Sequence, residues 1–521
     1  MKNLKITVAP VFLTAVSLLS QVSFGGEVSK PDRENSDNRL ESIISAVASL
    51  EKRIPSIITA GEETARRIIR NPYASIECPR KDQWGFSEEF WERAGGLSQF
   101  ADGRYDTPDN TVLLSSRARD AEVGEGKFAV RFGPTTGDRG VDLIVDVVAG
   151  WMFCCEYYAA CSRFTGRVPA STRSLGMKDC WISNCSGWSP DHLPRLVPSP
   201  ERIPAGRMSR AYLDKALGML KAMRRPATRD AVRAAAKYIV GELKAGRTVG
   251  VAGLGHPIIE ECVTDLKSGM KGVVVVGHIP KAYTEAFKSG DTLVWLAYGG
   301  LDTYWGDYGT PMRAAGLNLV LSHRGMKPCT DHPFVKAFIP QLWDMPDAEI
   351  EIPVRPFRFA PLSEVSRCTL LRMLDAEVAK ECPRPENPPP DYGRDFFATV
   401  DYAKKIPPPR TELREWSAKG FDFVMNRDFR WSLKGKTGFD YDMIRPLSER
   451  LLAYQKGLKY GLLSPGGEEL TPPDRELIAP FGLYGMPERE YAIFAEGVKY
   501  GKLDPVTGKP LAEPLSEDYP R

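Results

Sequence analysis

Apolar and polar positions first mark the beginning of the chain. A short basic stretch, Met1–Lys5, precedes an apolar run from Ile6 to Leu19, and small residues stand at Ser23 and Gly25. That order predicts a signal peptide over residues 1–25, cut near Gly25. The run is shorter than the ~20 residues a membrane span needs, so cleavage and export are expected rather than anchoring. No segment beyond residue 25 reads as a span.

Helical periodicity then takes over. Ile43, Ile44, Val47, Leu50, Ile54, Ile57 and Ile58 recur on one face between Leu40 and Arg70, and Pro55 divides the stretch into two helices. Short apolar runs predict strands at Ala74–Cys78, Thr111–Ser115, Val141–Val148 and near Val168, with helices at Gly85–Gly95 and Trp151–Phe164 between them. After a Pro- and Ser-rich connection the rhythm restarts. Helices are expected at Tyr212–Met223 and Arg229–Leu243. A strand at Thr248–Ala252, a helix at Ile258–Leu266, a strand at Gly272–Val276 and a helix at Ala282–Lys288 follow. The stretch GDTLVWLAYGGLDTYWGDYGTPMRAAGLNLVLSH, Gly290–His323, then reads strand, loop, helix, strand. Strands alternating with helices predict an α/β fold with a parallel sheet between two helical layers.

Composition narrows the function classes. The chain has 521 residues, which suggests about three domains. A net charge of +3 without a long basic run argues against a nucleic-acid partner. Ten cysteines are present, and export would permit disulfides. No C-x-x-C pair occurs, which removes support for zinc-ribbon, thioredoxin-like and haem-attachment readings. Cys154 and Cys161 lie seven apart on one helix face and read as small buried apolar residues; Cys180–Cys185 is the expected disulfide. No motif implies a cofactor or a metal.

The segment around Gly290–His323 has an echo 150 residues earlier: Gly300, Arg313 and Gly316 fall on Gly150, Arg163 and Gly166. With the strand LVWLAYGG laid on IVDVVAG, this predicts an internal duplication.

These units resemble the SIS (sugar isomerase) family. The resemblance rests on the helix RDAVRAAAKYIVGELKAG, the strand and glycine loop VGVAGLGH, the strand VVVV, the Gly290–Ser322 unit, and a closing helix PLSEVSRCTLLRMLDAE at Pro361–Glu377. It covers about Asp230–Lys380, with a fainter copy over about Leu40–Pro190. It implies flavodoxin-like, three-layer parallel-sheet modules: a degenerate one at 26–200 and a fuller one at 201–385. The implied function is that of an exported sugar- or phosphosugar-binding protein, either an aldose–ketose isomerase or a non-catalytic binding or scaffold protein. A homodimer or internal pseudo-dimer is implied as well, with no membrane contact after signal cleavage.

The candidate site lies where strands meet loops. Gly253 and Gly255 permit close backbone approach to a ligand. His256, His278 and His323 each follow a strand, and Glu364 opens the closing helix. His256, Glu364 and His323 are the candidate catalytic residues, suited to moving a proton between adjacent sugar carbons. Gly253, Gly255, His278, Tyr298, Gly299, Gly300, Asp302 and Thr303 are the candidate ligand contacts. The family pattern S-x-S-G-x-[ST] is replaced here by Ala297–Thr303, in which Thr303 supplies the one aliphatic hydroxyl and Asp302 a negative charge. The loop's aromatics, Tyr298, Tyr304, Trp305 and Tyr308, suit either stacking on a sugar ring or packing under the loop. Glu260 and Glu261 read as helix-capping carboxylates.

Residues 386–521 form the last region, a Pro-rich linker and then a second repeat. YQKGLKYGLLSP, from Tyr454, recurs as FAEGVKYGKLDP, from Phe494. Each copy is expected to be a helix ended by Tyr-Gly, with Gly461 or Gly501 in the left-handed position and a Pro turn after it, and the region to serve interaction rather than catalysis.

Overall fold

The computed structural model describes residues 35–517 apart from 72–73, 80–82, 92–106, 119–122, 124–125, 134, 170–195, 254–257, 273–286, 298–309, 325–331, 344–346, 354–357, 386–413, 419, 426–429, 437, 439 and 480–490. The expected signal segment and the expected Cys180–Cys185 pair lie outside the described residues.

The first group of elements runs α1 (Ser36–Ala48), α2 (Ile54–Arg70), β1 (Ile76–Glu77), α3 (Trp84–Trp91), β2 (Thr111–Leu114), β3 (Phe128–Arg131), α4 (Arg139–Thr165), β4 (Arg167–Pro169) and β5 (Leu196–Pro198). Pro55 stands in the first turn of α2, where its missing N–H leaves no helical bond unmade. β1, β2 and β3 form a parallel sheet in that order.

Helix α4 corrects two expectations. Val141–Val148 is not a strand: it joins Trp151–Phe164 in one helix of 27 residues. Asp142 and Asp146 stand one helical turn apart, and both are held from the same side. Asp142 accepts from the N–H groups of Thr135, Thr136 and Gly137, and Asp146 from that of Ser116. Asp138 caps the start, accepting from Gly140 and Val141, and Gly166 (φ 71°) ends the helix in the left-handed conformation. The helix is also long and apolar enough to cross a membrane, with a mean hydropathy of 1.4 over its most apolar window. That window is entirely buried, so α4 is the core helix of the first group.

The second group runs α5 (Arg207–Ala222), α6 (Pro226–Lys244), β6 (Val249–Gly253), α7 (Ile258–Val263), β7 (Lys271–Gly272), β8 (Thr292–Leu296), α8 (Thr310–Ala314), β9 (Asn318–Arg324), β10 (Val335–Gln341), β11 (Ile350–Glu351), β12 (Arg358–Phe359) and α9 (Ser363–Ala379). Five strands form one parallel sheet in the order β10-β9-β8-β6-β7. Alternate residues serve two cores. Leu293, Trp295, Leu319 and Leu321 pack with Phe287 and Met312 on one face. Val251, Val294, Leu296, Val320 and Ile339 face the main core, shared with α6 and α9. Burial on both faces is why these strands read as unbroken apolar runs. An offset of 150 residues lays β8 on Asp142–Asp146 of α4, a strand on a helix, so the echo at that spacing does not correspond to equivalent structure.

The two groups instead meet reciprocally. Helix α1 packs on α9, α5 packs on α4, and α3 packs on α7. Glu377 of α9 accepts from the backbone N–H of Ser36 at 2.9 Å and from its hydroxyl. Glu156 of α4, wholly buried, accepts from the Ser209 N–H at 3.3 Å and its hydroxyl at 2.6 Å. Each long helix thus places a carboxylate at the N-terminus of the other group's first helix, where the dipole favours negative charge.

The C-terminal repeat is β-structure, not helical hairpins. β13 (Arg414–Ala418), β14 (Phe421–Met425) and β15 (Trp431–Leu433) form one antiparallel sheet. β16 (Met443–Ser448), β17 (Leu451–Lys456) and β18 (Lys459–Leu463) form a second, and β19 (Leu477–Ala479), β20 (Ala492–Glu496) and β21 (Lys499–Leu503) a third. In each repeat a two-residue loop joins two strands, with Gly457 or Gly497 first in it at φ 61° or 58°. The glycines expected to be left-handed, Gly461 and Gly501 of the Tyr-Gly pairs, lie instead inside β18 and β21, and the left-handed glycines are those of the hairpin turns. Tyr454 faces Gly461 across the ladder and Phe494 faces Gly501. A Cβ on either glycine would meet the aromatic ring at 2.5 or 2.7 Å, which is why the repeated motif carries Tyr-Gly.

Candidate functional site

In chain order, the five-stranded sheet reads 5-4-3-1-2, the flavodoxin-like arrangement. The connections leave β6 and β8 in opposite directions along the sheet. The crevice at their carboxyl ends is therefore the topological switch point where such sheets hold ligands. The candidate residues of the glycine and aromatic loops border it in sequence. Gly255, His256, His278, Tyr298, Gly299, Gly300, Asp302 and Thr303 lie outside the described residues. Gly253, Glu364 and His323 are described.

Gly253 ends β6, and its role is packing. A Cβ there would stand 2.8 Å from Ile259 of α7, so a side chain would force the helix off the strand. His323 is near the end of β9 and buried; its Nδ1 donates to the Arg324 carbonyl, and its ring lies 4.8 Å from that of Phe338. Glu364, in the first turn of α9, is 1% exposed and forms an ion pair with Arg367 one turn on. The structure thus places Glu364 under the sheet edge, bound to a guanidinium.

Residues that sequence reading passed over form a floor at the carboxyl ends of β8, β9 and β10. Arg367, fully buried, donates from Nη1 to the Leu296 carbonyl at the end of β8, at 3.0 Å. Gln341, at the end of β10, donates from Nε2 to the carbonyls of Ala297 and Ser322, both at 3.0 Å. Trp343 donates from Nε1 to the Gln341 Oε1 at 2.7 Å. Three strand ends are thereby tied together by side chains that donate to their buried carbonyls. Arg367 lies i+3 from Glu364, a spacing readable in sequence, but nothing in the sequence says that the pair is buried. The two sides of the Asp347–Leu362 segment add strain: Asp347 and Ala360 hold φ of 58° and 62°. Asp347 accepts from the N–H groups of Leu362 and Ser363 and so caps α9.

A cavity of about 470 Å³ opens beside this floor, lined in part by Asp214, Lys215, Leu342, Trp343, Glu349 and Leu362. Burial pushes the Glu349 carboxyl above its ordinary range, with Lys215 opposing it.

The first sheet ends differently. The Ser116 N–H and hydroxyl at the end of β2 both donate to one oxygen of Asp146. Burial pushes this carboxyl up to about 7; the Ser116 hydrogen bonds oppose the rise and the charges of Asp142 and Glu261 add to it. Next to it Arg117 bonds Asp265 and lies 3.3 Å from Glu261. Glu261 accepts from the Phe86 N–H at 2.9 Å. The carboxylate expected to cap α7 therefore ties α7 to α3 of the other group. The end of β2 is thus capped by the chain's own carboxylate.

The chain matches no family model and no curated protein. The class that the fold defines is an α/β protein with a five-stranded parallel sheet.

Proposed function

We propose that this chain is an exported binding protein of SIS-like build that takes a sugar or sugar phosphate in the crevice between β6 and β8. The strand order carries the reading: a doubly wound parallel sheet reverses direction between β6 and β8, and in sequence the glycine loop follows β6 and the aromatic loop follows β8. The reciprocal packing of α1 on α9 and α5 on α4 supports two related modules forming an internal pseudo-dimer, with α4 corresponding to α9 rather than to the Gly290–His323 unit. The first module then serves as scaffold, since Asp146 fills its strand-end seat.

The pairing of Glu364 with Arg367 favours binding over isomerisation, because a carboxylate committed to a buried guanidinium is a poor base. The test is calorimetric titration and thermal shift with neutral hexoses, hexose phosphates and amino-sugar phosphates. One class should bind and raise the unfolding midpoint, His256→Ala should weaken it, and no aldose–ketose interconversion should follow. Turnover of a bound sugar phosphate would replace the binding role by isomerase activity. Absence of binding to every member of the panel would sink the ligand reading.

A further inference from the structure

We propose that Cys262 and Cys368 close to a disulfide that staples α7 to α9. Cys262 lies in α7 and Cys368 in α9, both are buried in the same core, and the two helices pack directly against each other. Arg372, one turn after Cys368, fixes the register of that contact. Its guanidinium donates to the carbonyl of Cys262 at 2.5 Å and to that of Asp265 at 2.9 Å. The turn of α9 that carries Cys368 is thus held over the turn of α7 that carries Cys262, and the structure has both as free thiols.

The thiolate is the attacking species in thiol–disulfide exchange, and before the core closes either cysteine supplies it. It breaks the S–S bond of a small-molecule or protein disulfide, forms a mixed disulfide and releases one thiol. The other cysteine then gives up its proton and displaces the second thiol. Two S–H bonds and one S–S bond break, and one S–S bond and two thiols form. The two electrons pass to the oxidant disulfide. The event belongs to folding, before the core closes over both sulfurs.

The bond would join the helix that follows the glycine loop to the helix whose Arg367 holds the end of β8. It fixes two borders of the β6–β8 crevice whatever that crevice binds. The experiment uses the full chain folded in a buffer of oxidised and reduced glutathione, denatured in iodoacetamide without reductant, digested and mapped by mass spectrometry. The expected result is a peptide pair joined through Cys262 and Cys368 that separates on reduction. Cys368→Ser should leave Cys262 alkylated. Reductant should lower the unfolding midpoint of the wild type but not of the Cys262→Ser, Cys368→Ser double variant. Full alkylation of both cysteines in the oxidised wild type overturns the proposal, and that mapping decides the matter even if the serine variants fail to fold.

Discussion

Arg367 and Glu364 form a buried ion pair one turn apart on α9, and the same arginine holds the Leu296 carbonyl at the end of β8. Helix and sheet edge are thereby one unit. Removing one partner takes the ion pair away from a buried charge, so Glu364→Ala should cost about 3–5 kcal/mol in denaturant unfolding. Glu364→Leu combined with Arg367→Met should cost less than the sum of the single changes, because no charge is then left unpaired. A single-variant cost under ~1 kcal/mol would mean that water reaches the pair.

Asp146 makes stability depend on pH. Its folded value of about 7 lies above the ordinary 3.8. Between those values the folded protein binds a proton that the unfolded chain has released, so stability falls as pH rises from about 4 to about 7 and is level above. Asp146→Asn should remove that fall, worth up to about 4 kcal/mol at pH 8. Burial sets the shift, the Ser116 hydrogen bonds oppose it, the charges of Asp142 and Glu261 add to it, and Arg53 is also near. Parallel pH profiles of wild type and variant would contradict the assignment.

Two helical glycines should respond in opposite directions to alanine. A Cβ at Gly61 of α2 would stand 2.7 Å from the Tyr157 backbone nitrogen of α4, so Gly61→Ala should destabilise by about 1–3 kcal/mol. Gly241 of α6 has nothing within 4 Å of that position, and Gly241→Ala should stabilise by about 0.5–1 kcal/mol. Thermal unfolding of both variants checks the close crossing of α2 and α4.

The C-terminal sheets dock on the first group. Arg167 of β4 pairs with Glu476 at 2.5 Å, and the Tyr500 hydroxyl donates to the Pro198 carbonyl at 3.1 Å. Tyr500→Phe should cost about 0.5–1.5 kcal/mol. Arg167→Ala should cost more, since it leaves Glu476 without this partner at a mostly buried joint. Chemical denaturation of the two variants would rank them, and the reverse order would move the weight of the joint to the tyrosine.

Much of the order of elements could be read directly. Pro55 separates α1 from α2, and the apolar runs of β6, β8 and β9 stand where periodicity and Gly punctuation put them. What misled was chemistry shared by two structures. VDLIVDVV satisfies a buried strand and a buried helix alike; the spacing of Asp142 and Asp146 favours the helix only once both carboxylates have partners on one side. Tyr-Gly, read as the end of a helix, stands inside a strand in both repeats: the rings of Tyr454 and Phe494 face Gly461 and Gly501 across the ladder, and the left-handed turn falls at Gly457 and Gly497.

By itself, then, the sequence determined where backbone and burial change along the chain: local periodicity, proline and glycine act within a few residues. Only the tertiary structure decided which polar groups are spent on the fold. Glu364, Asp146, Glu156 and Glu261 are equivalent carboxylates in sequence. Their roles come from partners far along the chain or buried beside them, and a buried charge takes its state from what surrounds it.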